Sequence, residues 1–249
     1  MRSDFPTVGF DRFVELSWAD FALELSIANG DSTQLKTWLE ERIAGKESAR
    51  KTANLLTTLW LRPIPATNQL RNEAMHLAGG VPRNQYVILH WGMALANFPL
   101  FQHTTAHIGR LLRLQGGFRV PELVRRVSES YSNQGTIPRL VNRILQTLTQ
   151  WKVLENQGEG IYSAAPVLPL ESLTLLAWLF HACLVREQER HIALADLLRE
   201  IADRERTDTV HAGGPGHPEA RHGLGDDALA FLDRERLERL VLEALDAAA

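Results

Sequence analysis

Residues 136–162, TIPRLVNRILQTLTQWKVLENQGEGIY, constrain the fold of this chain more than any other stretch. Ile137, Leu140, Val141, Ile144, Leu145, Leu148 and Trp151 recur at steps of three and four, which predicts an amphipathic helix with a broad buried stripe. Thr136 is placed to cap that helix through its hydroxyl, and Pro138 is tolerated in its first turn, where the N–H has no intrahelical partner. Downstream, Lys152–Glu155 and Ile161–Ser163 flank NQGEG, which predicts two short strands joined by a glycine turn. Upstream, VPELVRRVSESY carries Leu123, Val124, Val127 and Tyr131 at helical spacing, and SNQG turns the chain, with Gly135 available for a left-handed conformation. Helix, short turn, helix and hairpin in that order predict a winged helix-turn-helix at residues 116–168.

The outward face of the second helix is chemically unusual. It consists of Arg139, Asn142, Arg143, Gln146 and Gln150, and no carboxylate occurs over the 18 residues Thr136–Val153. Arg, Asn and Gln are the side chains that make bidentate contacts to guanine and adenine edges in the major groove. A solvated helix face ordinarily mixes in Glu or Asp, which phosphates repel. The chain's formal net charge is −3, yet residues 103–152 carry eight basic side chains against Glu122 and Glu129. Such an island concentrates a positive field on one segment of an otherwise acidic protein. A polyanion partner is one explanation; a solvated face, or pairing with acids from elsewhere in the fold, is the other. On the first, Arg119, Arg125 and Arg126 grip phosphates while the five outward residues face the groove. The hairpin's Glu155 and Glu159 are poorly placed to meet phosphate, so contacts from the wing tip are not expected. Winged helices also serve as protein-docking modules, which keeps a scaffold subunit of a multi-protein complex as the rival expectation.

The rest of the chain reads as helices of unequal length without a fixed-period repeat. Helical spacing predicts segments at Ser17–Ala28, from Asp31 or Ser32 through Ile43 with Gly45 beyond the end, and Glu47–Leu61, stopped by Pro63 and Pro65. Further helices are expected at Gln69–Leu77, Gln85–Asn97 and Leu100–Leu114, the last closed by QGG. Together they make an N-terminal helical bundle over residues 1–115. Beyond the winged segment, residues 169–249 are read as C-terminal helices: Leu170–Glu187, His191–Arg206 and the amphipathic Asp227–Leu245, which needs a partner surface from the chain's own C-terminal helices or from a second subunit, whether another protein or a second copy. A Gly-, Pro- and His-rich flexible loop at 207–226 interrupts them. The fold class is therefore mainly α.

Several function classes find no support in the sequence. Nucleophile elbows, Walker loops and kinase glycine loops are missing, so no enzymatic role is expected. His103 and His107 could share a helix face, but no zincin glutamate follows, and neither a metal nor another cofactor is expected. His90-Trp91-Gly92 reads as core architecture, with the glycine permitting close helix packing. The 13-residue apolar run Leu173–Val185 falls short of the ~20 residues a spanning helix needs, so it is expected to be buried in protein with no membrane partner. The single cysteine, Cys183, and an N-terminus without a signal-peptide apolar core suggest a reducing, cytoplasmic setting.

The stretch from Tyr86 to Tyr162 resembles the BrxA-type proteins of bacterial phage-exclusion (BREX) loci. The resemblance lies in LHWGMALANFPLF with its aromatic-proline break, in HIGRLLRL, and in NRILQTLTQWKVLEN. It implies a small, non-catalytic, DNA-binding helical protein acting within a larger anti-phage defence assembly. Residues from Leu170 onward take no part in it.

Overall fold

The computed structural model describes residues 9–131, 135–166 and 172–185. The expected helix at 191–206, the loop at 207–226, the terminal amphipathic helix and the turn at 132–134 lie outside the described residues. Within them the protein is mainly helical. α1 (Leu16–Ile27), α2 (Ser32–Glu40), α3 (Lys46–Leu56), α4 (Asn68–Ala78), α5 (Tyr86–Asn97) and α6 (Pro99–Gln115) are followed by β1 (Gly117–Arg119) and α7 (Val120–Ser128). α8 (Ile137–Gln150), β2 (Leu154–Gly158), β3 (Ile161–Ala164) and α9 (Leu173–Leu184) complete the order.

Helix ends fall where local chemistry puts them. Asp31 caps α2: its carboxylate accepts the Thr33 and Gln34 N–H groups, and the Gln34 side chain accepts the Asp31 N–H. This is a reciprocal capping box that satisfies orphan donors of the first turn. α2 stops at Glu40 rather than running through Ile43, and Gly45, beyond its end, stands at the N-cap of α3 with φ of 93°. The single helix expected over 47–61 also needs correction. It is α-helical only to Leu56 and then widens into a π-type turn at Thr57–Leu61. The backbone oxygens freed there are used across the fold, Trp60 accepting from the Ser26 hydroxyl and Leu61 from Arg71. Between α5 and α6, Phe98 is forced into an extended conformation by the proline that follows it, and Pro99 opens α6.

α5 is the hub. All eleven residues from Val87 to Asn97 are buried, the signature of a helix enclosed on every side. α9 packs directly on α5 and α4, where the Trp178 ring lies over Gly92 and its indole donates to the Leu70 carbonyl at 3.0 Å. His90 is a fully buried core histidine whose Nδ1 accepts from the Trp60 indole at 3.0 Å and whose Nε2 meets Asp20 at 2.8 Å. One cluster of buried side chains runs from Phe10 through α5 and α8 to Cys183. Among the described residues no helix is long and apolar enough to cross a membrane.

The sheet is antiparallel with order β1-β3-β2. β1 has no counterpart among the strands expected from sequence, because three residues are too few to show a period. Phe118 pairs with Tyr162 across it. Gly117 permits this close approach, since a Cβ there would stand 3.0 Å from the Tyr162 carbonyl oxygen. The hairpin turn is shorter than expected. Asn156 and Gln157 belong to β2, and only Glu159 and Gly160, with φ of 50° and 71°, make the connection. Two positive φ values match the twist of a tight hairpin. Lys152 is not in the strand; with φ of 58° it closes α8, the Val153 N–H returning to Leu148 and the Lys152 N–H to Thr149.

Residues 9–16 tie the bundle to α8. Phe10 is fully buried against Phe98 and Phe101. The Val14 N–H donates to the buried Thr147 hydroxyl at 3.0 Å, and the Trp151 indole donates to the Val14 carbonyl at 3.1 Å. Thr147→Val keeps the shape but leaves the Val14 N–H buried without its acceptor, which costs roughly 1–2 kcal/mol. Urea unfolding is expected to show that loss as a lower midpoint with an unchanged slope.

Candidate nucleic-acid interface

α8 divides as its sequence periodicity requires. Ile137, Val141, Ile144, Leu145, Leu148 and Trp151 are buried. On the opposite side Arg139, Asn142 and Gln146 are exposed and Arg143 is half-buried. Arg143 donates to the Gln146 side-chain oxygen at 2.9 Å. Among the described residues neither Arg139 nor Arg143 has a carboxylate within ion-pair distance, so both charges face solvent uncompensated. Thr136 stands at the N-cap position, but its side chain makes no capping hydrogen bond to α8, contrary to expectation.

The fifth outward residue has a different job. Gln150 accepts the Leu16 N–H at 2.7 Å through Oε1, so it satisfies an orphan donor in the first turn of α1. One of the two lone pairs of its side-chain oxygen is thereby committed within the fold. The outward row that remains is Arg139, Asn142, Arg143 and Gln146, in the N-terminal part of the helix, the end that a recognition helix turns toward base edges.

The three arginines expected to grip phosphates are not equivalent. Arg125 pairs with Glu129 at 3.1 Å and Arg126 with Glu122 at 3.1 Å, both one turn apart on α7. Glu122 also accepts from Gln115, and that bond together with the Arg126 contact holds its carboxyl below the ordinary range. The positive island is thus partly neutralised within α7, and a phosphate must compete with these carboxylates. Arg119 is exposed where β1 ends, paired in register with Ile161.

A groove of about 410 Å³ lies alongside this face. Arg143, Gln146, Thr149 and Gln150 of α8 form one side of its lining. Phe13 contributes from the N-terminal segment, and Asn156 and Tyr162 from the hairpin. Sequence reasoning missed Thr149 and the last three. Phe13 is more than 120 residues from the helix it accompanies, and nothing local to it signals the association. Tyr162 is held in place by stacking on Phe118 at 5.8 Å and 14°.

His103 and His107 do share a side of α6, with ring centroids 4.6 Å apart and perpendicular, and His103 also meets the Tyr131 ring edge-on at 5.6 Å. Burial, then the neighbouring His107 and Arg110 charges, push His103 down to about 4 from its ordinary 6.5. The folded protein therefore holds the neutral ring, while the unfolded chain takes up a proton between those values. Stability is full above about pH 6.5 and is lost as the pH falls toward about 4. Buried His90, likewise pushed down by desolvation, acts in the same direction. Thermal melts are expected to show Tm falling between about pH 7 and about pH 5, and falling less in His103→Gln.

Comparison of the chain with protein-family models, with curated proteins and with solved structures gives no match.

Proposed function

We propose that residues 99–164 form a winged helix-turn-helix that binds duplex DNA, with α8 entering the major groove and no catalytic step. The observation that carries the proposal is the outward-facing, carboxylate-free row Arg139, Asn142, Arg143 and Gln146. These side chains offer bidentate donors for guanine and a donor-acceptor pair for adenine, each good pair being worth ~1–3 kcal/mol. The order α6-β1-α7-α8-β2-β3, with an open antiparallel sheet in which β3 lies between β1 and β2, supports a winged helix. The hairpin tip, with exposed Glu155 and Glu159, closes the domain without gripping phosphate. In line with the resemblance over residues 86–162, the protein is a DNA-binding subunit of a bacterial anti-phage defence assembly. Self-association or partner subunits would engage residues beyond 185.

Anisotropy titration of a labelled random-sequence duplex with single alanine variants tests this directly. Arg139→Ala is expected to weaken binding by roughly fivefold or more, the equivalent of one lost base or phosphate contact. Arg126→Ala, which removes a cation already paired with Glu122, changes affinity by less than about twofold. Equal effects of the two variants, or no binding by the folded wild type, would overturn the assignment and favour the docking scaffold.

A further inference from the structure

The groove beside α8 has a hydrogen-bonding character with a definite sign. Its amide oxygens are already engaged: Gln146 Oε1 accepts from Arg143, Gln150 Oε1 from the Leu16 N–H, and Asn156 Oδ1 from the Gly158 N–H at 2.9 Å. The Thr149 hydroxyl donates to the Leu145 carbonyl at 2.9 Å. Each of those amide oxygens keeps one lone pair, but the only charged group among the lining residues is a donor: the Arg143 guanidinium, with its remaining N–H groups, stands beside the Nε2 donors of Gln146 and Gln150. No carboxylate lines the groove, and the Phe13 and Tyr162 rings do. Cationic and amide donors beside aromatic surface match an anion joined to a flat ring, because phosphate accepts charge-assisted hydrogen bonds and a heterocycle stacks on an aromatic face. A volume of about 410 Å³ lies within the range of small-ligand sites, roughly 300–1,000 Å³.

We infer that this groove binds a nucleoside monophosphate, its phosphate held by Arg143 with the Gln146 and Gln150 amides and its base against Phe13 and Tyr162. The site is separate from duplex reading in Phe13, Gln150 and Tyr162 and shares Arg143 and Gln146 with it. A bound nucleotide therefore covers half of the row proposed to meet DNA, and the two ligands exclude each other.

Calorimetric titration of the full chain with AMP, adenosine and inorganic phosphate tests the assignment. AMP is expected to bind at least ~10-fold more tightly than either fragment, since each supplies only one of the two recognition elements. Arg143→Gln and Phe13→Ala are each expected to weaken AMP by ~10-fold, the first being a solvent-side change that leaves the core intact. Arg139→Glu is expected to leave AMP affinity unchanged while duplex affinity falls, and Phe13→Ala to leave duplex affinity within about twofold. No heat with AMP at millimolar concentration, fragments that match AMP, or variants that bind it like the wild type would overturn the nucleotide site. Duplex binding without AMP binding would do so and leave the DNA proposal standing. AMP binding without duplex binding would support the nucleotide site and sink the DNA proposal alone.

Discussion

Replacing Arg139 and Arg143 together by glutamate is expected to lower affinity for random duplex DNA at moderate salt by ~100-fold or more. Both guanidiniums lie on the solvent side of α8 without a carboxylate partner, so their loss breaks no ion pair. Among the described residues only the Arg143 hydrogen bond to Gln146 disappears from the folded protein. Binding to a random duplex rests on neutralising phosphates, so turning two cations into two anions both removes that attraction and adds repulsion from phosphate. The buried stripe of α8 is untouched, so circular dichroism and Tm should remain close to wild type. If affinity is unchanged in a variant that keeps its fold, α8 does not face the groove.

The largest stability effect is expected at Gly92. A Cβ there would lie 2.5 and 2.6 Å from two ring carbons of Trp178 and 3.2 Å from the Ala182 methyl. Helix propensity alone would favour an added side chain by up to ~1 kcal/mol, but the ring cannot retreat. Trp178 is buried and its indole is held by the Leu70 carbonyl, so α9 must lift away from α5. Gly92→Val is expected to cost about 3 kcal/mol or more, a fall in Tm of roughly 10 °C for a domain of this size. Its coupling to Trp178→Leu gives a second check. The smaller side chain should relieve the clash, so the double variant should be less destabilised than the sum of the singles. A wild-type melt for Gly92→Val would mean that α9 does not pack on α5.

What could be read from sequence follows the strength of the local signals. α8, α5 and α6 were legible because their apolar spacing is long and their ends carry proline or glycine. The start of α2 was legible as Asp31 or Ser32 because capping is chemistry over three residues, and the structure chooses Asp31. The carboxylate-free face was legible too, being a statement about residue types on one helix. The rest depended on contacts between distant segments. Gln150 looks like its neighbours on the helical wheel, and only the arrival of Leu16, 134 residues away in sequence, gives it a structural role. Arg125 and Arg126 counted as free charge in the basic island, although their acids stand one turn away on the same helix. Those pairs could have been anticipated from i, i+4 spacing. The π-type turn at 57–61 had no such signal, because its widened backbone is satisfied by Ser26 and Arg71 from other elements.

α8 as a DNA-reading helix is tested most directly by the salt dependence of binding to a random duplex. Phosphate neutralisation releases condensed counterions, so log K falls against log salt with a slope of about −0.9 for each phosphate contacted. The wild-type protein is expected to bind at low salt and to lose affinity by about tenfold or more over a fourfold rise in salt, with a shallower slope once Arg139 and Arg143 are reversed. A flat salt response, or no duplex binding by the folded protein, would contradict it.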